Sequence, residues 1–249
     1  MKKYTRDQQN FQMGGLEQHK IEFPKHILCC SGTGGGKSNW LLNYLNLSSG
    51  GTGTFGHVTI VCKSMEPLYE MLSEQGKEGV TIFTNIGQLP RLKDNNENNS
   101  KQQLIVFDDC VSDRDQSKIE DYFLRARKHG AGIQLVYLSQ SYFKTPIFIR
   151  NNVTYAIFLQ ISSDADLGRI LSNYNVGIEK GVFRAIFKNA VSQKLCSFKI
   201  DISNSDLNKK FSRNWTDFYE IVDSEGDPLD EKKIQLYRNS GIVKKNKML

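Results

Sequence analysis

The chain has 249 residues, of which 39% are hydrophobic and 24% charged, and its formal net charge is +6. This length and composition suit one sizeable folded domain with extensions. No stretch approaches the roughly 20 apolar residues of a membrane-spanning helix, and the start, Met-Lys-Lys-Tyr-Thr-Arg, lacks the apolar core of a signal peptide. We therefore expect an intracellular protein without a membrane partner. The excess of basic residues permits a polyanionic partner.

Residues 1–24 are polar, show no clear period and predict an N-terminal arm. Apolar runs typical of strands then recur, and most are near-continuous, as in parallel strands buried on both faces. The predicted strands are His26–Ser31, Val58–Lys63, Val80–Thr84, Leu104–Asp109, Ile133–Gln140, Tyr155–Gln160 and Leu195–Ile202. Helical patterns lie between them, at Asn39–Leu45, Pro67–Ser73, Asp113–Lys128 and Gly181–Val191. This alternation predicts an α/β fold with a mostly parallel central sheet flanked by helices.

The predicted core spans residues 25–203, and two other segments differ from it in composition. Lys93–Lys101 is a low-complexity polar run and predicts an exposed loop. Residues 204–249 predict a C-terminal extension, in which an acidic stretch at 223–231 precedes a basic tail at 232–249. The tail could contact a neighbouring subunit or nucleic acid, and a solvated end is the alternative.

Five cysteines, an odd number, lie mostly within the apolar runs. They are Cys29, Cys30, Cys62, Cys110 and Cys196. We expect them to be buried hydrophobic side chains in a reducing compartment. Neighbouring strand residues point to opposite faces, so a joint metal site of the first two is disfavoured.

The most specific motif is Ser-Gly-Thr-Gly-Gly-Gly-Lys-Ser at 31–38, which has the layout of a Walker A phosphate-binding loop. Glycines let the backbone curl so that several N–H groups point at one phosphate chain, and the positive end of the following helix adds to that field. Lys37 would reach the outer phosphates, and the Ser38 hydroxyl would hold Mg²⁺. Ser31 stands where the usual pattern has glycine.

A glycine-rich turn that binds nothing is the alternative interpretation of this motif. The apolar strand before it, the Lys-Ser pair and the helix after it favour a nucleoside triphosphate site. The predicted nucleotide-binding residues are Ser31, Gly32, Thr33, Gly34, Gly35, Gly36, Lys37 and Ser38.

Leu104–Asp109 is typical of a Walker B segment, a buried strand that ends in two carboxylates. Successive strand side chains alternate, so the two acids can take different tasks. Asp108 would hold Mg²⁺, directly or through water, and Asp109 would orient and deprotonate the attacking water. Parallel strands end at one sheet edge, which brings this segment to the phosphates. A strand that simply ends in a turn is the alternative.

Gln140 ends the next predicted strand at the same edge. Its amide could hydrogen-bond both the γ-phosphate and the attacking water, so that it would report whether the triphosphate is intact. An ordinary strand-end glutamine is the alternative.

Three further stretches resemble the FtsK–HerA superfamily of ring-forming, DNA-pumping ATPases. They are Ala126–Ile133 continuing to Gln140, Ile149–Phe158, and Ser162–Leu171. The similarity covers about residues 25–175, in the family's order. The Asp-Asp ending of the Walker B segment and the Tyr-Leu-Ser-Gln strand are most similar to the viral branch, the genome-packaging ATPases of poxviruses, giant viruses and virophages.

The resemblance implies a RecA-like P-loop NTPase core of the ASCE type, which hydrolyses ATP with Mg²⁺ and drives double-stranded DNA into a preformed capsid. It implies a homo-oligomeric ring, a pentamer or hexamer, with a capsid or portal protein as a further partner. The implied location is the host cytoplasm, a virus factory or the virion. Lys37, Ser38, Asp108, Asp109 and Gln140 match the family's Walker A, Walker B and sensor positions.

Subunits of such rings usually insert an arginine into the neighbour's site, and the resemblance makes Arg127 the first choice. Arg125, Arg150 and Arg169 are further candidates, and each of the four could instead be a solvated surface charge.

A basic stripe of Lys180, Arg184 and Lys188 recurs every fourth residue on a predicted helix and could follow DNA phosphates without reading sequence. A solvent-facing stripe is the alternative.

Two other functions compete with genome packaging, namely a P-loop nucleotide kinase and a HerA-like DNA helicase or translocase that does not package. A polar Gln140 suits hydrolysis better than phosphate transfer to an acceptor.

Overall fold

The computed structural model describes residues 19–49, 55–76, 79–92, 102–113, 115–128, 132–161, 163–174 and 178–222. Three predicted segments lie outside the described residues: residues 1–18 of the arm, the loop at 93–101, and the acidic stretch with the basic tail at 223–249.

Within these ranges, strands and helices alternate along the chain. The strands are β1 His26–Cys30, β2 Phe55–Val61, β3 Val80–Phe83, β4 Gln102–Asp108, β5 Ile133–Ser139, β6 Tyr155–Phe158, β7 Phe198–Asp201, β8 Phe211–Arg213 and β9 Asp217–Phe218. The α-helices are α1 Lys37–Ser49, α2 Pro67–Gly76, α3 Ser117–Arg125, α4 Ile147–Asn152, α5 Asp164–Tyr174, α6 Lys180–Ala190 and α7 Leu207–Lys210. Short 3₁₀ turns cover Ile86–Gln88, Cys110–Ser112 and Ala126–Lys128.

All described strands join one sheet in the order β3-β2-β4-β5-β1-β6-β7-β8-β9. The strands from β3 to β6 in this order are parallel, and β7, β8 and β9 pair antiparallel. This arrangement confirms the predicted α/β fold with a mostly parallel sheet. Strand β5 lies between β1 and β4, so the strand that leads to Gln140 separates those that lead to the Walker A and Walker B residues.

The central strands are buried on both faces, as their continuous apolar runs predict. Along β1, Leu28 and Cys30 belong to the apolar cluster on one face, whereas Ile27 and Cys29 belong to the cluster on the other. Helix α6 covers the first face with buried residues that include Phe183. Four of the five cysteines are buried, and all five are free thiols.

Both ends of the predicted core lead into further packed chain. Ile21, in the predicted arm, is fully buried in the same cluster as Ile27. Strands β8 and β9 follow residue 203 and extend the sheet. Among the described residues, no helix has the length and apolar composition needed to cross a membrane.

His26 is a buried, neutral histidine at the start of β1. Its Nε2 donates to the carbonyl of Phe123 at 3.2 Å, and its Nδ1 has no hydrogen-bond partner within the described ranges. Burial, with a smaller effect of the nearby Arg127 charge, lowers its pKa from the ordinary 6.5 to about 3.

We predict that this histidine makes the fold acid-sensitive. The unfolded chain binds a proton below pH 6.5 that the folded chain does not bind until about pH 3. The free energy of unfolding should therefore fall by up to about 1.4 kcal/mol per pH unit as the pH drops through that range. His26→Asn should flatten the pH dependence between pH 6 and pH 4 in urea unfolding. An unchanged slope would contradict the prediction.

Candidate nucleotide-binding site

The Walker A residues form a closed turn at the carboxyl end of β1. The Ser31 N–H donates to the Ser139 carbonyl at 3.1 Å, which ties the loop to β5. The Gly35 N–H donates to the Gly32 carbonyl at 3.0 Å and closes the turn. Helix α1 begins directly afterwards, at Lys37, so its N-terminus faces the loop.

Two glycines of the loop are required by local geometry. Gly36 has φ of +95°, and a Cβ there would lie 2.8 Å from Leu195 Cδ2. A Cβ on Gly35 would lie 1.9 Å from Ser31 Oγ. That Oγ is buried and has no hydrogen-bond partner among the described residues. The serine that replaces the usual glycine therefore fills the inside of the loop, and a glycine at 35 leaves room for it.

Asp108 ends β4 as a buried carboxylate with one oxygen held and one unpartnered. Its side chain is 6% exposed, and the Tyr69 hydroxyl donates to Oδ2 at 2.6 Å. Oδ1 is buried and makes no hydrogen bond in the part of the chain that the structure describes. Burial raises the pKa of Asp108 to about 6, and the charges of Asp109 and Glu66 add to this rise. The Tyr69 hydrogen bond and Lys37 act in the opposite direction.

Asp109 faces the cleft beside the loop rather than the core. Its backbone is left-handed, with φ of 52°, a conformation that aspartate tolerates better than most residues. Gln140 Nε2 donates to Asp109 Oδ2 at 2.5 Å, and Thr33 Oγ1 donates to Gln140 Oε1 at 2.9 Å. Gln140 thus bridges the Walker A loop and the second Walker B acid.

Thr33, Asp109 and Gln140 line an open cleft of about 850 Å³. Lys63 and Lys144 also line it. A second cleft of about 430 Å³ lies on the other side of the loop, between Gly35 and the Gln160–Ile161 segment after β6. Predicted residues from three separate motifs therefore meet at one sheet edge, with space on both sides of the loop.

Glu66 is a site residue that the sequence did not predict. Ser38 Oγ donates to Glu66 Oε2 at 2.8 Å. Glu66 lies between β2 and α2, and β2 is a parallel strand that ends at the same edge. The only sequence signal was its position shortly after a predicted strand and directly before Pro67.

The oxygen ligands at this site could hold a Mg²⁺ ion only together with phosphates. Among the described residues, no three His, Cys, Asp or Glu side chains form a cation site by themselves. Magnesium in nucleotide sites takes one or two protein oxygens and completes its shell with phosphate and water. Ser38 Oγ and the unpartnered Asp108 Oδ1 provide such oxygens.

Arg127 does not lie with these residues within one chain. It belongs to the 3₁₀ turn before β5, and its charge acts on His26 at the amino end of β1. The loop follows the other end of that strand, about 16 Å away at the usual rise per residue. Its action on a neighbouring subunit stays a prediction.

The other candidate arginines also have partners. Arg125 pairs with Asp121 within α3. The guanidinium groups of Arg150 and Arg169 lie 5.8 and 4.8 Å from the ring centroid of Phe143.

No protein-family model and no curated protein sequence matches this chain. Solved structures do resemble it. The genome-packaging NTPase B204 of Sulfolobus turreted icosahedral virus 2, in complex with AMPPCP, superposes with a TM-score of 0.54 at 14% identity, over 78% of this chain and 98% of B204. B204, the DNA-packaging ATPase of Sulfolobus turreted icosahedral virus, gives 0.52 at 12% identity, over 77% and 97%.

The pCW3 conjugation coupling protein TcpA, with ATPγS, gives a TM-score of 0.51 at 14% identity, over 86% of this chain and 65% of TcpA. The fold is that of the P-loop ATPases. At these identities the likeness concerns the fold, and it confirms the predicted P-loop NTPase class of the ASCE type.

We predict that Gly35→Ala weakens nucleotide binding by the P-loop about tenfold, equivalent to about 1.4 kcal/mol, because the added methyl group overlaps Ser31 Oγ. Ser31→Gly removes that hydroxyl and should restore part of the loss in the double variant. Titration with a fluorescent ATP analogue measures all three variants. Equal affinity of Gly35→Ala and the parent, or no recovery in the double variant, would contradict the assigned contact.

Proposed function

We propose that this protein is an ATP-hydrolysing motor that moves double-stranded DNA and packages a viral genome into a preformed capsid. The observation that carries the proposal is the bridge from Thr33 through Gln140 to Asp109, 2.9 and 2.5 Å long, across the cleft beside the P-loop. It joins a phosphate loop, an amide and a carboxylate in the combination that hydrolysis needs. The fold likeness to B204 and TcpA, whose roles are in DNA packaging and conjugation, supports DNA as the moved substrate.

Nucleotide binding would use the backbone and three side chains. The loop N–H groups and the N-terminus of α1 attract the phosphates, and Lys37 would pair with the outer ones. Ser38 and Asp108 would hold Mg²⁺, which would offset phosphate charge when bound. The smaller cleft beside Gln160 would take the nucleoside end.

Hydrolysis would use the two residues that face the larger cleft. Asp109 would accept a proton from the attacking water, and Gln140 would orient that water. Because the Gln140 amide also accepts a hydrogen bond from Thr33 in the loop, it would respond to a γ-phosphate bound there. When Gln140 orients the attacking water, its hydrogen bond to Asp109 would be broken. Loss of the γ-phosphate would let that hydrogen bond form again.

We further propose that the chain works as a homo-oligomeric ring, a pentamer or hexamer, with Arg127 acting in trans. Lys180 and Lys188 are exposed on α6 and could contact DNA phosphates. A capsid or portal protein would be the remaining partner, and the host cytoplasm or a virus factory the location.

The purified protein should hydrolyse ATP, and duplex DNA should increase its turnover. Lys37→Ala should abolish turnover because the phosphates lose their cation. Asp109→Asn should keep ATP binding and lower turnover by about 10²–10⁴-fold, the usual contribution of a general base. Phosphate release with and without DNA, together with an ATP-binding titration, measures these effects.

Three outcomes would contradict parts of the proposal. Turnover that ignores DNA but requires a nucleotide acceptor would indicate a kinase. Normal turnover of Asp109→Asn would refute its role as base. DNA-stimulated turnover without packaging in a capsid assay would favour a helicase-like translocase.

The trans role of Arg127 is tested by mixing variants. Arg127→Ala and Lys37→Ala should each be inactive alone. Mixed subunits should recover activity, because an intact Arg127 of one subunit then meets an intact P-loop of another. Mixing Lys37→Ala with Asp109→Asn should give no recovery, because both changes damage the same side of the subunit contact. Failure of the first mixture to recover would remove Arg127 from this role.

A further inference from the structure

The Ser38 hydroxyl is already turned in the direction that a cation requires. A hydroxyl has one hydrogen to donate and two lone pairs to offer. Ser38 donates its hydrogen to Glu66 Oε2 at 2.8 Å, a charge-assisted contact. Its lone pairs therefore point away from Glu66, where a cation can approach them.

Asp108 is oriented in a parallel way by Tyr69. The Tyr69 hydroxyl, on a fully buried side chain, donates to Oδ2 at 2.6 Å. This contact fixes the carboxylate plane and leaves the buried Oδ1 without a partner among the described residues. A buried carboxylate oxygen without a hydrogen-bond partner destabilises the fold unless a cation or a metal-bound water contacts it.

Both orienting side chains come from one rigid turn. The N–H groups of Tyr69 and Glu70 donate to the Glu66 carbonyl at 2.8 and 3.0 Å. Pro67 occupies the first position of α2, where its fixed φ suits a helix start. Residues three apart lie on one helix face, so Glu66 and Tyr69 reach Ser38 and Asp108 together.

We propose that Glu66 and Tyr69 are a pair of positioning residues for the metal of this site. Glu66 acts through the Ser38 hydroxyl and adds negative charge, and Tyr69 acts through the Asp108 carboxylate. The inference rests on the proposed function, since it takes Mg²⁺ with a nucleoside triphosphate as the ligand. It concerns neither the attacking water nor Asp109.

The test measures metal dependence of binding rather than turnover. A fluorescent, non-hydrolysable ATP analogue is titrated at fixed protein concentration over a range of Mg²⁺ concentrations and also in EDTA. Glu66→Gln keeps the size of the side chain and removes its charge, and Tyr69→Phe removes only the hydroxyl. Each should raise the Mg²⁺ concentration for half-maximal binding about tenfold or more, in line with other outer-shell residues. Binding in EDTA should stay unchanged.

Glu70→Gln is the matched control, because Glu70 is exposed on the same helix turn and its side chain has no part in the proposed contacts. It should leave the Mg²⁺ dependence unaltered. A purely structural role of Glu66 or Tyr69 would weaken binding equally with Mg²⁺ and in EDTA, and that result would overturn the inference. Should Tyr69→Phe unfold in circular dichroism, Glu66→Gln decides alone.

Two results distinguish the positioning role of Glu66 and Tyr69 from the proposed function. If the parent protein hydrolyses ATP while Glu66→Gln shows the Mg²⁺ dependence of the parent, only the positioning role is refuted. If the parent binds no ATP analogue at any Mg²⁺ concentration, both are refuted.

Discussion

The register of three parallel strands brings the Walker A, Walker B and Gln140 residues of the candidate site together. Cys30 of β1 pairs with Ser139 of β5, and Asp108 of β4 pairs with Leu138. The next residues after these strands are therefore neighbours in space, which places Ser31, Gln140 and Asp109 side by side. A shift of one residue in β4 would turn Asp108 towards the opposite face of the sheet. Burial of both faces of these strands holds the register, so the core and the site depend on the same pairing.

Three acidic side chains and Lys37 lie close together at this edge of the sheet. The stability of the fold by itself would not favour this concentration of charge. Asp108 is buried, and the charges of Asp109 and Glu66 raise its pKa further. Lys37 offsets part of this repulsion. An arrangement of several acids around a lysine and a phosphate loop gains stability when a cation and phosphates enter together. Perturbed groups in a cleft are typical of functional sites, and here each perturbation has a named cause.

The sequence predicted the central strands because buried parallel strands are near-continuous apolar runs, and it predicted the Walker and Gln140 positions because they follow such runs. It did not predict β8 and β9, which have three and two residues and form by antiparallel pairing with β7 and with each other. Glu66 and Tyr69 were missed for a related reason. Which side chains of α2 face Ser38 and Asp108 depends on how that helix packs, and no local pattern reports helix packing.

The separation of Arg127 from the P-loop constrains how subunits could cooperate. Within one chain Arg127 and the P-loop lie at opposite ends of β1, so an Arg127 that acted on a P-loop would have to belong to another copy. Such a contact joins two different surfaces, the amino edge of one sheet and the carboxyl edge of the next. Contacts of this heterologous kind close into rings or continue as open filaments. A motor that uses Arg127 in trans would therefore assemble head to tail. In a closed ring every subunit would both supply an arginine and receive one.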